Sequence, residues 1–261
     1  MDAVRSADGT TIAYERAGRG PALVLVTGAF CDRSSPASLA AALSPAYTVC
    51  CYDRRGRGDS GDQAPYAVQR EVEDLAAVIA AAGGPALVFG HSSGAALALE
   101  AAAAGVPMTA LAVYEPPYAG EGPSAAFAAE LAALVAEGQR GAAAERFLAL
   151  TGAPAEAVAG MRSAPFWPRM ESLAHTLPYD ITLCNGGEVP AARLAGLPVP
   201  VLALAGGKSR DWARQAAAQI AAAVRDGRDE VLDGQDHVPA DEVLAPVLAG
   251  FFAAAPAAAA S

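Results

Sequence analysis

The sequence predicts an α/β fold: a mostly parallel central sheet flanked by helices, carrying one helical insertion. Three observations predict it. Short β-rich runs recur at 11–16, 22–27, 47–52, 86–89, 109–114, 199–205 and 229–232, and most are continuously apolar, as strands buried on both faces are. Helical patterns separate these runs, the alternation that builds a parallel sheet covered by helices. Between about 120 and 190 the alternation stops, and helix-like pieces follow one another without a convincing strand.

In chain order, the runs at 11–16, 22–27 and 47–52 precede the first clear helix, where Val68, Val72, Leu75 and Ile79 recur at steps of four, three and four. The run at 86–89 leads into an Ala-rich helix at 95–104, and the run at 109–114 leads into the insertion. There Phe127, Leu131, Leu134 and Val135 form one amphipathic face, while Phe147 and Leu148 lie on another. The Pro165-Phe166-Trp167-Pro168 stretch, with Met161, Met170 and Tyr179, either lines an apolar cavity or glues the insertion to the core. A strand at 199–205, a helix at 212–224 and a strand at 229–232 follow. Leu244, Val247, Leu248, Phe251 and Phe252 then fall at i, i+3, i+4, i+7 and i+8, so the uncharged stretch 243–261 reads as a packed surface helix with an Ala/Pro tail, interrupted by Pro246 and Pro256, and not as a membrane span. These elements divide the chain into a core, 1–118 and 191–261, and a helical cap, 119–190.

The chain has 261 residues, one domain's worth, and 18 Lys+Arg against 28 Asp+Glu give a net charge of −10. With 53% hydrophobic residues it can bury a sizeable core, which excludes disorder as the main state. The acidic balance repels phosphate backbones and anionic surfaces, so neither nucleic acid nor a membrane is an expected partner. Cys31, Cys50, Cys51 and Cys184 form no CxxC pair, which fits a reducing compartment. The N-terminal segment lacks a basic stretch followed by an apolar core, and the expected location is the cytoplasm.

The strongest chemical signal is Gly90-His91-Ser92-Ser93-Gly94, a G-x-S-x-G sequence directly after an apolar strand and directly before a helix. A sharp strand-to-helix turn there strains Ser92 and exposes its hydroxyl, and the flanking glycines remove Cβ atoms that would clash. The helix N-terminus presents unpaired backbone N–H groups, notably that of Ser93, to a developing oxyanion.

A serine hydroxyl needs a base within hydrogen-bond reach. Of the three histidines, His91 leaves the turn in another direction and His175 lies in the insertion. His237 follows the last strand, at the carboxyl end of the sheet where a partner for Ser92 belongs. The third member must be a carboxylate that orients the imidazole. Glu115 ends the strand at 109–114, and Asp211 follows the strand at 199–205. Asp211 immediately precedes a helix, where Asp also serves as an N-cap, so Glu115 is preferred and Asp211 stays a candidate.

On these residues the chain resembles the α/β-hydrolase superfamily over nearly its whole length. The Thr27-Gly28-Ala29-Phe30 turn after an early strand, the segment from Tyr52 through Asp53, Arg54, Arg55, Gly56, Arg57, Gly58 and Asp59 to Ser60, the Ser92 turn and the late His237 carry the resemblance. It implies that Ala29 donates the second oxyanion N–H, although Thr27 stands where the common form has histidine. Most members place the acid four residues beyond the next-to-last strand, which here is Ser209. A smaller group, similar to the fungal zearalenone lactonases, places a glutamate where this chain has Glu115, and those enzymes carry a Ser-Ser-Gly-Ala turn like Ser92-Ser93-Gly94-Ala95.

Gly56-Arg57-Gly58-Asp59-Ser60-Gly61 matches G-x-G-x-x-G, but Pro65 intervenes before the helix and position 81 is Ala, so it reads as a tight loop with Asp53 and Arg55 in a structural ion pair. Neither a cofactor motif nor a metal-ligand pattern is found. The expectation is a serine hydrolase, Ser92 with His237 and Glu115, acting on a small apolar carboxylic ester or lactone that contacts Phe30, Trp167 and Tyr179. Peracid formation or lyase chemistry on the same machinery, and a slow-turnover ligand receptor, are the alternatives.

Overall fold

The computed structural model describes residues 1–255; the expected tail beyond, including Pro256, lies outside the described residues. Eight strands, β1 (Asp2–Arg5), β2 (Thr11–Gly18), β3 (Ala22–Val26), β4 (Thr48–Tyr52), β5 (Ala86–His91), β6 (Met108–Tyr114), β7 (Val201–Gly206) and β8 (Gly227–Leu232), form one sheet in the order β1-β2-β4-β3-β5-β6-β7-β8. β1 and β2 are antiparallel to their neighbours, and every pairing from β4 to β8 is parallel. The seven β-rich runs read from the sequence thus all fall on strands. The expectation missed β1, whose four residues are mostly exposed and carry no apolar run.

The helices are α1 (Ala37–Leu43), α2 (Val68–Ala81), α3 (Ser93–Ala103), α4 (Ala125–Ala136), α5 (Arg140–Leu150), α6 (Ala155–Arg162), α7 (Trp167–Leu173), α8 (Leu177–Leu183), α9 (Ala191–Leu194), α10 (Asp211–Ala223) and α11 (Asp241–Ala253). One apolar cluster joins Val24, Val88, Leu111 and Val113 of the sheet to Val72, Leu75 and Ile79 of α2, Leu97 and Leu99 of α3, and Ile220 of α10. On the opposite face Leu25, Phe89 and Leu204 pack against Leu39 of α1 and Leu244, Leu248 and Phe252 of α11. Alternate residues of one strand feed both clusters, which is why the strands read as unbroken apolar runs. Pro246 lies inside α11. No helix among the described residues is long and apolar enough to cross a membrane.

Helices α4 to α8 lie between β6 and β7 and have their own small core of Leu131, Ala143, Ala174, Leu177 and Ile181. The two ends of this insertion are joined, Gly120 N–H donating to Gly187 O at 2.8 Å and Gly122 N–H to Gly186 O at 2.9 Å. Register pairs His91 with Tyr114 and Tyr114 with Leu204, so the residues leaving β5, β6 and β7 emerge side by side at one sheet edge.

Candidate active site

At that edge β5 passes into α3 through Ser92, which has φ 56° and ψ −125°, a conformation that an L-residue adopts only when its surroundings impose it. Its N–H is held by Tyr114 O at 2.9 Å, and α3 starts on the next residue. The space is equally constrained. A Cβ on Gly94 would sit 2.3 Å from Val26 O, and one on Gly28 would sit 2.9 Å from Ser92 Cβ, so the β3 loop presses its backbone against the serine. Among the described residues neither Ala29 N–H nor Ser93 N–H donates to a backbone carbonyl.

One strand over, Glu115 follows β6 with φ 46° and is anchored by its N–H to Leu204 O at 3.0 Å. Its buried carboxylate takes two donors, Gly206 N–H on Oε1 at 2.8 Å and His237 Nδ1 on Oε2 at 2.7 Å. Burial alone would raise the Glu115 pKa. The hydrogen bonds from His237 and Gly206 outweigh it and hold the carboxyl below the usual glutamate range. An ionised carboxylate only accepts, so His237 Nδ1 carries the proton of this bond and Nε2 faces away from Glu115. The His237 side chain is 48% exposed.

The loop carrying His237 is pinned from below. Tyr114 Oη donates to Asp236 O, and His91 Nε2 donates to His237 O at 2.8 Å. The His91 ring lies 5.0 Å from the His237 ring, centroid to centroid. Burial, with the His237 charge added, lowers the His91 pKa to about 4, so His91 is neutral near pH 7. From the sequence His91 only leaves the turn in another direction than Ser92; its support of the His237 carbonyl is visible only in three dimensions.

Ser92 Oγ makes no direct hydrogen bond to His237, whose Nδ1 is engaged by Glu115. Phe30, at φ 58°, packs edge-to-face on Phe147 of α5, with 5.5 Å between centroids. Trp167 is buried beside Gly141 of α5. Tyr179 stacks on Tyr66 at 4.0 Å and donates to Asp62 Oδ2 at 2.9 Å, joining α8 to the core. Asp211 is 83% exposed in the first turn of α10 and paired with Arg214, with no hydrogen bond to His237.

The sequence model described as the alpha/beta hydrolase family matches residues 23–249, most of the chain. The chain belongs to the alpha/beta hydrolase family. A crystal structure of an alpha/beta hydrolase from Sphaerobacter thermophilus DSM 20745 is 51% identical, with a TM-score of 0.90 over 96% of this chain and 100% of that one. Two further structures share the alpha/beta hydrolase fold alone. They are an esterase from Rhodococcus sp. ECU1013 (22% identity, TM-score 0.73, 98% and 99% of the two chains) and an enol-lactonase from Burkholderia xenovorans LB400 (19%, 0.73, 96% and 99%). No curated protein matches the chain significantly.

This alpha/beta hydrolase also holds a buried ion network that the sequence reading did not find. The expected pair of Asp53 with Arg55 is absent: Asp53 pairs with Arg33, while Arg55 reaches Asp74 of α2 at 2.8 Å and Asp8 at 3.1 Å. Behind the serine turn, Arg54 makes two 2.7 Å bonds to Glu71, and Asp180 of α8 lies between Arg54 and Arg57. The available signal was the pair Glu71 and Asp74 beside the apolar stripe of α2, too close to the core to be solvated.

Proposed function

We propose that this alpha/beta hydrolase cleaves a carboxylic ester or lactone through Ser92, His237 and Glu115, by way of an acyl-enzyme. The observation that carries the reading is the hydrogen bond from His237 Nδ1 to the buried, ionised Glu115 at the edge where Ser92 leaves β5. It leaves Nε2 as the basic atom and gives the imidazolium, once formed, an anionic partner. Three of the four non-glycine residues with positive φ among the described residues, Phe30, Ser92 and Glu115, belong to this site, as strain retained for function tends to.

In the forward course, the Ser92 oxygen bonds the carbonyl carbon while its proton passes to His237 Nε2. The oxyanion accepts from Ala29 N–H and Ser93 N–H. The carbon–oxygen bond to the alcohol then breaks and the alcohol oxygen takes the proton from His237, leaving an acyl-serine. Water, deprotonated by His237, repeats the sequence and releases the acid.

Substrate choice falls to the cap, 119–190, whose apolar cluster packs against Ala29 and Phe30 beside the serine turn; with a net charge of −10 this favours a small neutral ester or lactone over a nucleic acid or an anionic membrane surface. The test is a panel of p-nitrophenyl esters and macrocyclic lactones, with mass analysis of products and labelling by a fluorophosphonate. Turnover and labelling of the wild type, both lost in Ser92→Ala, are expected. Undiminished turnover in Ser92→Ala overturns the proposal, and peracid or aldehyde products in place of acid and alcohol move the chemistry to another class.

A further inference from the structure

The buried network behind the serine turn does more than hold the insertion down. Asp180, carried by α8 of the cap, is buried, and its Oδ1 gathers three donors: Ser93 Oγ at 2.6 Å, Arg57 Nη2 at 2.7 Å and Arg54 Nη1 at 2.9 Å. Burial would raise its pKa, but the charges of Arg57 and Arg54 outweigh that and hold it below the ordinary aspartate range. Arg57 in turn donates through Nη1 to Gly28 O and, at 3.4 Å, to Cys31 O, while Arg54 donates to Thr27 O at 3.2 Å. Glu71 completes a set of two cations and two anions, all buried.

Peptide geometry converts these contacts into a statement about the oxyanion site. The peptide from Gly28 to Ala29 is planar and trans, so its C=O and N–H point in opposite directions. An arginine that fixes Gly28 O therefore fixes the direction of Ala29 N–H, and its charge polarises that N–H toward a stronger donor. Gly28 itself lies against Ser92, so the plane being fixed is the one beside the nucleophile. The other donor residue, Ser93, is held through its side chain by the same Asp180 oxygen.

We propose that Asp180 and Arg57 are positioning residues for the oxyanion site, a single cap-borne carboxylate oxygen aligning Ala29 N–H through Arg57 and Ser93 N–H through Ser93 Oγ. A cap that lifts as a rigid body would break the three contacts of Asp180 together, leaving Arg57 and Ser93 without the carboxylate that holds them, so donor alignment is tied to a seated cap. The inference rests on the serine-hydrolase reading above, and the experiment separates the two.

Steady-state hydrolysis of p-nitrophenyl butyrate is measured for the wild type, Asp180→Asn, Arg57→Lys and Ser93→Ala. Each rate is divided by the Ser92 sites titrated with a fluorophosphonate, so that misfolded protein does not count. Expected are a fall in kcat per titrated site of about 10- to 100-fold in Asp180→Asn and Arg57→Lys, and a smaller one in Ser93→Ala, below the 10²- to 10³-fold typical of deleting an oxyanion donor outright. KM and the acid limb of the pH–rate profile stay as in the wild type, because the base and its carboxylate are untouched. If Asp180→Asn does not fold, Arg57→Lys keeps the buried charge and decides alone. Unchanged kcat per titrated site in Arg57→Lys, or a loss confined to KM, overturns the inference. Failure of the underlying reading looks different: the wild type then shows no Ser92 labelling at all.

Discussion

Glu115 Oε2 meets His237 Nδ1 at 2.7 Å, although the two residues lie 122 positions apart in the chain. The carboxylate is buried, takes Gly206 N–H on its other oxygen, and sits on a residue forced to φ 46°, whereas the competing Asp211 is an exposed first-turn acid bound to Arg214. Glu115→Gln should therefore lower kcat by about 10²- to 10⁴-fold, because an amide can present the wrong partner to Nδ1 and cannot balance the imidazolium. Asp211→Asn should leave kcat nearly unchanged. The reverse ranking in steady-state assays would move the acid to Asp211.

The contrast between those two carboxylates marks how far the sequence could be read. Strands such as Ala86–His91 were legible because burial on both faces makes them continuously apolar, and Ser92 was legible because its turn lies wholly within adjacent residues. β1 was not, since an exposed edge strand needs no apolar run. Glu115 could be nominated from its place after a strand, but only folding sets it against His237. The same holds more strongly for Arg54 and Asp180, 126 residues apart, whose pairing has no local signature. Asp53 and Arg55 failed in the opposite way: proximity in sequence suggested a pair, and each found a partner elsewhere.

His91 sets a pH dependence of stability. Its folded pKa of about 4 lies below the ordinary value of 6.5, so between those limits the unfolded chain binds a proton that the folded chain refuses. Stability from this group is therefore complete above the upper limit and declines as pH falls toward the lower one. His91→Gln keeps an N–H for the His237 carbonyl but cannot titrate. Its unfolding free energy, followed by urea from pH 7 to 4, should decline less steeply, by about one proton's worth of linkage. Identical acid limbs in the two proteins would show that His91 titrates normally.

Ser92 stores backbone strain that can be released at the expense of chemistry. At φ 56° and ψ −125° glycine is comfortable and other residues are not, at about 1–3 kcal/mol each. Ser92→Gly should be more stable than Ser92→Ala by roughly 1 kcal/mol, even after glycine's greater unfolded-state entropy. Both should lack ester turnover. Urea midpoints with matched m-values check the difference, and an alanine variant as stable as the glycine variant would mean the turn is relaxed.

Tyr179 distinguishes the two uses open to the aromatic residues of the insertion. Sequence alone makes it a substrate contact, yet its ring lies parallel to Tyr66 at 4.0 Å and its hydroxyl donates to Asp62 at 2.9 Å. Tyr66 in turn donates to Glu71 at 2.9 Å, which connects the stack to the Arg54 pair. Tyr179 thus fastens α8 to the core, and Tyr179→Ala should lose about 0.5–1.5 kcal/mol from the ring pair, beyond the apolar area it exposes. Tyr179→Phe, which keeps the stack and gives up only the hydrogen bond to Asp62, should lose less. KM for p-nitrophenyl esters of increasing chain length should move little in either variant, while the melting temperature falls in the order wild type, Phe, Ala. A KM that rises with chain length at constant melting temperature would return Tyr179 to the substrate.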